Sequence, residues 1–112
     1  MMKIGLAILL SLVLLSLRAF GGDMRIVKTK YEADVILYVT QHKYEADLHA
    51  KVTDIASQSR QYDHYFRFVR DQTQNVVKVY FTNIKYDADV IVYYGTYNLG
   101  WKKSNKFQGR LH

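Results

Sequence analysis

The sequence predicts an all-β protein, a compact single domain of short repeated strands with a period of about 13 residues. A five-residue motif of Lys, Tyr, an acidic residue, Ala and Asp recurs along the chain, and each copy precedes a run rich in Val, Ile and Tyr. Such β-branched and aromatic runs are typical of strands. The apolar runs are too short for helices, and β-branched residues dominate them, so a helical period is not supported.

Residues 1–21 are predicted to be a signal peptide that precedes the domain. Lys3 supplies a positive start, the 14 residues 4–17 are mostly apolar, and Ala19 and Gly21 are the small residues that precede a signal-peptidase cut. A membrane-spanning helix needs roughly 20 apolar residues, so a cleaved leader is favoured over a retained anchor. We therefore expect an exported protein, either periplasmic or extracellular.

The repeat defines the predicted domain, residues 22–103. Three intact copies of the motif and one degenerate copy occupy residues 30–34, 43–47, 85–89 and 72–76. The 13-residue step breaks only within 55–69, where four extra residues are predicted to lengthen one connection as a loop at 61–64. About eight residues remain for each connection, which suits hairpins and wrapped crossovers equally well.

The runs that follow the motif differ in pattern. Residues 48–52 and 77–81 alternate between apolar and polar, which predicts strands buried on one face. Residues 35–39 and 90–94 are apolar on both faces, which predicts central strands covered on both sides. An alanine at the fourth motif position predicts a crowded site where chain segments cross; the three are Ala33, Ala46 and Ala88.

A tyrosine occupies the second position of every intact motif, as Tyr31, Tyr44 and Tyr86. Because these positions are locked to the repeat, the rings are predicted to pack against a shared core, with their hydroxyls at its rim. The alternative is an exposed aromatic surface for carbohydrate or single-stranded nucleic acid. An exported protein rarely meets nucleic acid, so no nucleic-acid partner is expected.

Two acidic residues in each motif are candidates for calcium binding, because oxygen ligands alternate there in all three copies. The pairs are Glu32/Asp34, Glu45/Asp47 and Asp87/Asp89. Calcium-binding β-repeats are dense in glycine, however, and these motifs contain none. Asp also accepts hydrogen bonds from backbone N–H groups two residues on, and each motif carries its own lysine. Turn and ion-pair roles are therefore predicted, with no metal site.

We predict no catalytic residue, cofactor or metal ligand elsewhere in the chain. Its histidines, His42, His49, His64 and His112, show no metal-ligand spacing, and its serines lack the nucleophile-elbow context. There is no cysteine, and no glycine loop of the phosphate-binding type follows the leader. The protein is therefore expected not to be an enzyme.

The net charge of +6 is concentrated at the end of the chain. Residues 22–100 carry ten basic and ten acidic residues, which cancel. The uncompensated basic residues are Lys102, Lys103, Lys106 and Arg110. They predict a basic C-terminal end, with a tail at 104–112 that is either a solvated, frayed terminus or, together with Lys102 and Lys103, a contact for an anionic cell-envelope surface or polymer.

The motifs in combination resemble a small family of bacterial proteins of unknown function. The resemblance covers about residues 25–103 and rests on the tandem Lys-Tyr-x-Ala-Asp units, the aromatic stretch at 65–69 and the late Gly-Trp-Lys at 100–102. It implies a compact β fold whose backbone forms a torus knot with seven crossings, and it implies no activity, cofactor or catalytic residue. The degenerate copy at 72–76 departs from the pattern, since it lacks the Tyr and the Ala.

These observations favour a non-catalytic, exported structural or binding protein of the bacterial cell envelope. The alternative is a binding module for carbohydrate or another envelope polymer that uses exposed tyrosines, and an enzyme comes third. The sequence does not specify the oligomeric state.

The mature protein is expected to begin at Gly22. The apolar run and the Ala19/Gly21 pair together predict cleavage after Gly21. Intact-mass analysis of exported protein measures this directly. A chain that keeps residues 1–21 would show a retained anchor instead.

Overall fold

A computed structural model describes residues 23–70 and 76–112. The predicted signal peptide and most of the degenerate motif copy lie outside these residues. The described residues form seven strands: β1 Asp23–Ile26, β2 Val35–Val39, β3 Leu48–Val52, β4 Tyr65–Phe68, β5 Val76–Phe81, β6 Val90–Tyr94 and β7 Gly100–Trp101. One short helix, α1 (Ala56–Gln61), lies in the stretch where the repeat loses step. The prediction of an all-β domain with short repeated strands is confirmed, although α1 was not predicted.

Six of the strands close into a parallel barrel. Their order is β4-β1-β5-β2-β6-β3, and pairing between β3 and β4 closes the circle. Every pairing within this ring is parallel. The exception is β7, which runs antiparallel beside the first two residues of β3. Hairpins therefore do not build the ring, and its connections are crossovers.

The register explains how such short connections join parallel strands. Ile26 at the end of β1 and Val35 at the start of β2 both pair with Val79 of the strand between them. The end of one strand is thus level with the start of the next, and the chain steps sideways over one strand without returning along the barrel. The same relation holds from β2 to β3 across Val92 and from β5 to β6 across Leu37.

The chain consequently winds around the barrel twice. Strands β1, β2 and β3 belong to the first winding, and β4, β5 and β6 fill the positions between them in the second. Only the step from β3 to β4 joins direct neighbours. This connection differs from the others because it leads the chain from the first winding to the second. It contains α1 and the break in the 13-residue period. Ser59 of α1 donates a hydrogen bond to Asp23 at 3.1 Å and ties this connection to β1.

The core lies inside the barrel and is built from alternate residues of each strand. Its fully buried side chains include Met24, Val35, Leu37, Leu48, Phe66, Val77, Val79, Val90, Val92 and Leu111. The intervening residues Ile36 and Ile91 are only partly buried. The prediction that 35–39 and 90–94 are covered on both sides is therefore wrong, because the outer face of the barrel is covered only where a connection crosses it.

The aspartate that ends each motif joins its strand to the neighbouring strand. The Asp34 backbone N–H donates to the Lys78 carbonyl at 2.8 Å, and the Lys78 N–H donates to Asp34 Oδ2 at 2.9 Å. The same pair of bonds joins Asp47 to Ile91 at 2.8 and 2.9 Å, and Asp89 to Ile36 at 2.7 and 2.8 Å. The predicted bond to an N–H two residues on is wrong, since the carboxylate reaches a different strand.

These carboxylates complete the ladder where the chain turns away. If the parallel register of Val35 with Val79 continued by one residue, the Lys78 N–H would donate to the carbonyl of Ala33. Ala33 caps the 3₁₀ turn Lys30–Glu32, and the Lys78 N–H is not bonded to its carbonyl. The Asp34 carboxylate supplies an acceptor in its place, so the amide of the neighbouring strand is not left without a partner. The turns Lys43–Glu45 and Lys85–Asp87 repeat the arrangement.

The C-terminal segment is docked to the barrel, so its interpretation as a frayed terminus is wrong. Leu111 is fully buried in the core. The carboxylate of Asp63, itself only 6% exposed, accepts hydrogen bonds from Trp101 Nε1 at 2.7 Å and from the Leu111 N–H at 2.9 Å. It also accepts from the Gly109 N–H and contacts His112 Nδ1 at 2.6 Å. One buried carboxylate thus holds the last four residues against the loop predicted at 61–64.

Removing one ladder carboxylate should destabilise the fold. We expect Asp89→Ala to lower the free energy of unfolding by about 1–3 kcal/mol, because the Ile36 amide loses its acceptor. Equilibrium urea unfolding measures the change. The matched control is Asp87→Ala, which removes the same charge two residues away at an exposed position and should cost less than about 0.5 kcal/mol. Equal losses in both variants would contradict the ladder role.

Removing the Asp63 carboxylate should release the C-terminal segment. Asp63→Ala is expected to lower the free energy of unfolding by about 2–4 kcal/mol, because several donors lose a buried charged acceptor. Trypsin should then cut at Lys106 and Arg110 under conditions in which the parent resists. Asp54→Ala, at an exposed position just before α1, is the control. A parent protein that is already cut at those sites would show that the segment is not held.

Candidate functional site

An open groove of about 870 Å³ lies on the outside of the barrel where the second winding ends. Its walls are formed by residues 43, 44 and 46, by β3, by the last two residues of β6, by the loop at 95–98 and by Lys102 and Lys103 after β7. Four tyrosines line it: Tyr44, Tyr93, Tyr94 and Tyr97. Four lysines join them: Lys43, Lys51, Lys102 and Lys103. We call this the basic groove; none of the residues that line it is acidic.

The strands position the aromatic floor of the groove. His49 on β3 and Tyr93 on β6 are register partners, and their ring centroids lie 5.2 Å apart. His49 Nε2 lies 3.0 Å from the Lys43 carbonyl and fixes the turn against β3. Tyr94 is partly buried against the core, and burial raises its pKa to about 12. Its hydroxyl therefore stays protonated at physiological pH and is suited to hydrogen bonding and unsuited to acting as a nucleophile.

The lysines give the groove a positive potential. Within the described part of the chain, none of the four forms an ion pair. Lys103 Nζ donates to the Glu45 carbonyl at 3.0 Å, and Lys43 Nζ lies 5.2 Å from the centroid of the Tyr44 ring. These contacts orient two ammonium groups without neutralising them. Like charges that converge on one concave surface attract anions to it.

The four predicted anion-contact residues are divided between two cavities. Lys102 and Lys103 line the basic groove. Lys106 and Arg110 line a second cavity of about 290 Å³, together with Phe107 and with Val35 and Val77 of the core. The structure therefore does not bring the four together as one basic tail. Lys43 and Lys51 were not predicted, because in the sequence each has acidic neighbours.

The motif tyrosines are not part of the core. Tyr31, Tyr44 and Tyr86 are 90%, 87% and 95% exposed. The prediction that they pack inside is wrong, because the 3₁₀ turns cross the outer face of the barrel and direct the rings into solvent. The following alanine faces inward and Ala46 is fully buried, whereas Ala33 and Ala88 are partly buried.

The acidic pairs of the motif serve the ladder and the turns. Asp34, Asp47 and Asp89 accept backbone hydrogen bonds from the neighbouring strands. Across residues 23–70 and 76–112, no group of three His, Asp or Glu side chains is arranged to hold a metal ion. In the same two stretches, no helix combines the length and the apolar character needed to cross a membrane.

Two histidines flank the Asp63 carboxylate. His64 is adjacent to it in sequence and its ring packs at a tilt against those of Tyr62 and Tyr65, with centroid distances of 5.1 and 4.6 Å. Burial lowers the pKa of His64, the nearby Asp63 opposes this, and His112 adds to the lowering. The cluster holds the C-terminal segment and does not open into the basic groove, whose lining it does not share.

The comparison with protein families agrees with the chain path. The Septknot family model, a 7(1) septoil knot domain, matches residues 22–102. No curated protein and no solved structure significantly matches the chain. The match covers all three intact motifs and the seven strands, whose two interleaved windings fit a knotted domain. The resemblance found in the motifs is thereby confirmed, and the chain belongs to the Septknot family of knotted β domains.

Proposed function

We propose that the protein is an exported, non-catalytic binding protein of the bacterial cell envelope, and that its basic groove holds an acidic polysaccharide. The observation that carries this proposal is the composition of the groove: four tyrosines and four lysines without an acidic residue. The proposal combines two interpretations that the sequence leaves open, a module that binds an envelope polymer and a contact for an anionic partner.

The chemistry of the groove suits sugar rings that carry negative charge. A tyrosine ring offers a flat apolar face against which the C–H face of a sugar packs, and its hydroxyl bonds to neighbouring oxygens. Lysine ammonium groups donate to carboxylate or sulfate oxygens in charge-assisted hydrogen bonds. An open groove admits a chain that continues beyond both ends, whereas a closed pocket fits a small molecule.

An anionic membrane is less well supported as the partner. Membrane attachment through the C-terminal segment would need its basic and aromatic side chains on one free surface. The structure instead divides Lys102 and Lys103 from Lys106 and Arg110, and it fastens the Trp101 indole to Asp63. The predicted leader supports export, and an exported protein meets envelope polysaccharides.

The groove should bind polygalacturonate at low salt and should not bind its neutral methyl ester. We expect Lys51→Gln/Lys102→Gln to weaken the binding by on the order of ten-fold or more, since two positive charges at the site are lost. Binding should also fade as salt screens the remaining charges. Isothermal titration calorimetry measures both effects.

The matched control is Lys106→Gln/Arg110→Gln, which removes the same charge from the second cavity. It should bind polygalacturonate like the parent. If both double variants lose binding equally, only the net charge matters and the groove is not the site. Tighter binding to anionic phospholipid vesicles than to the polysaccharide would also overturn the proposal, in favour of a membrane partner.

A further inference from the structure

The three motif tyrosines are exposed and lie outside the core. Each lies at the same place in a 3₁₀ turn, and between 87% and 95% of its surface is open to solvent. The packing and hydrogen bonding of these turns come from other motif residues, namely the inward alanine and the ladder aspartate. Packing in the core therefore does not explain a tyrosine at three equivalent positions.

The barrel topology places these tyrosines in one row. The turns that carry Tyr31, Tyr86 and Tyr44 step over β5, β2 and β6, which are consecutive neighbours in the ring. From β2 to β6 and from β6 to β3, each strand begins two residues further along the barrel than its neighbour, since Leu37 pairs with Val90 and Val92 pairs with Leu48. The row therefore rises obliquely around the barrel, in steps of roughly 8 Å at the level of the strands.

The row ends in the basic groove. Tyr44 is its last member and also lines the groove. The turns of Tyr86 and Tyr44 are joined by an ion pair, with Lys85 Nζ 2.6 Å from Glu45 Oε2. This contact, with help from the Thr40 hydroxyl, lowers the pKa of the Glu45 carboxyl and keeps the pair charged to lower pH. We call the row Tyr31, Tyr86, Tyr44 the tyrosine stripe.

The stripe differs from the groove in charge. Lys85 is neutralised by Glu45, and the other exposed charges of the three turns balance, with Lys30 and Lys43 against Glu32 and Asp87. The stripe thus offers aromatic faces on a surface without excess positive charge. Contacts made there should depend on ring stacking and respond little to salt.

Resting on the proposed function of the groove, we infer that the tyrosine stripe extends the binding site and holds further sugar units of a long polysaccharide chain. The groove engages a charged segment of the polymer, and Tyr86 and Tyr31 contact the units that follow it. The ligand class is accordingly a long acidic polysaccharide and not a short charged oligosaccharide, because a short ligand leaves the stripe unused.

The test compares trigalacturonate with long polygalacturonate on the parent and on Tyr31→Ser/Tyr86→Ser. Tyr44 is left intact because it lines the groove. We expect the double variant to bind trigalacturonate like the parent and to bind the long polymer more weakly by on the order of ten-fold, since linked contacts multiply affinity. The difference in affinity for the long polymer between parent and double variant should persist when the salt concentration is raised. Tyr62→Ser, which removes an exposed tyrosine outside stripe and groove, should bind both ligands like the parent.

The outcomes separate the stripe from the groove. Suppose that the parent binds both ligands, that the groove variant Lys51→Gln/Lys102→Gln binds them more weakly, and that the stripe variant binds them like the parent. This result overturns the role of the stripe and leaves the proposed role of the groove intact. A stripe variant that loses trigalacturonate to the same extent as the polymer also overturns the extension, because the effect is then not specific to chain length. If the parent binds neither ligand, the proposed function fails and the stripe with it. Because both tyrosines are highly exposed, thermal melting should be unchanged, and this checks that the variant is folded.

Discussion

The double hydrogen bond between each motif aspartate and the next strand is the interaction on which the architecture depends. In a barrel of short parallel strands, the chain leaves the sheet wherever a strand connects to the next one. Where it leaves, a backbone amide of the neighbouring strand would lack a hydrogen-bond acceptor. Asp34, Asp47 and Asp89 supply that acceptor from the side chain while their own backbone N–H continues the ladder. The chain can therefore turn outward, step over one strand and re-enter the sheet. The exposure of the tyrosine within each turn follows from the same geometry.

Much of the fold was predictable because the repeat encodes it locally. Strand composition and alternation located the strands, and the loss of step at 55–69 marked the one connection that differs from the rest. The parallel order was not predictable from composition, because a 13-residue unit leaves a connection that fits a hairpin as well as a sideways step. What decides between them is a set of contacts between residues 44 or more positions apart, and spacing along the chain carries no information about those.

The candidate site was only half predictable for a related reason. Lys102 and Lys103 were predicted as anion contacts because the chain around them lacks acidic residues. Lys43 and Lys51 were not, because acidic residues near them in the sequence balance their charge. In the fold, Asp47 is committed to the ladder and Glu45 to Lys85, so two of these acids are kept away from the groove. Asp63 carried no signal at all. It is one aspartate in a polar loop, and its importance comes entirely from the distant donors that converge on it.

The docked C-terminal segment has a consequence for how the molecule responds to force. In a knotted chain, disentangling requires an end to be withdrawn through the structure, and the end nearest the second winding is the one fastened by Leu111 and Asp63. A molecular motor that pulls on this end must first extract a buried leucine and break a buried charged contact. Continued pulling then tightens the interleaved windings against one another. Resistance to such machines would come from the path of the backbone and would be largely independent of the equilibrium stability of the core.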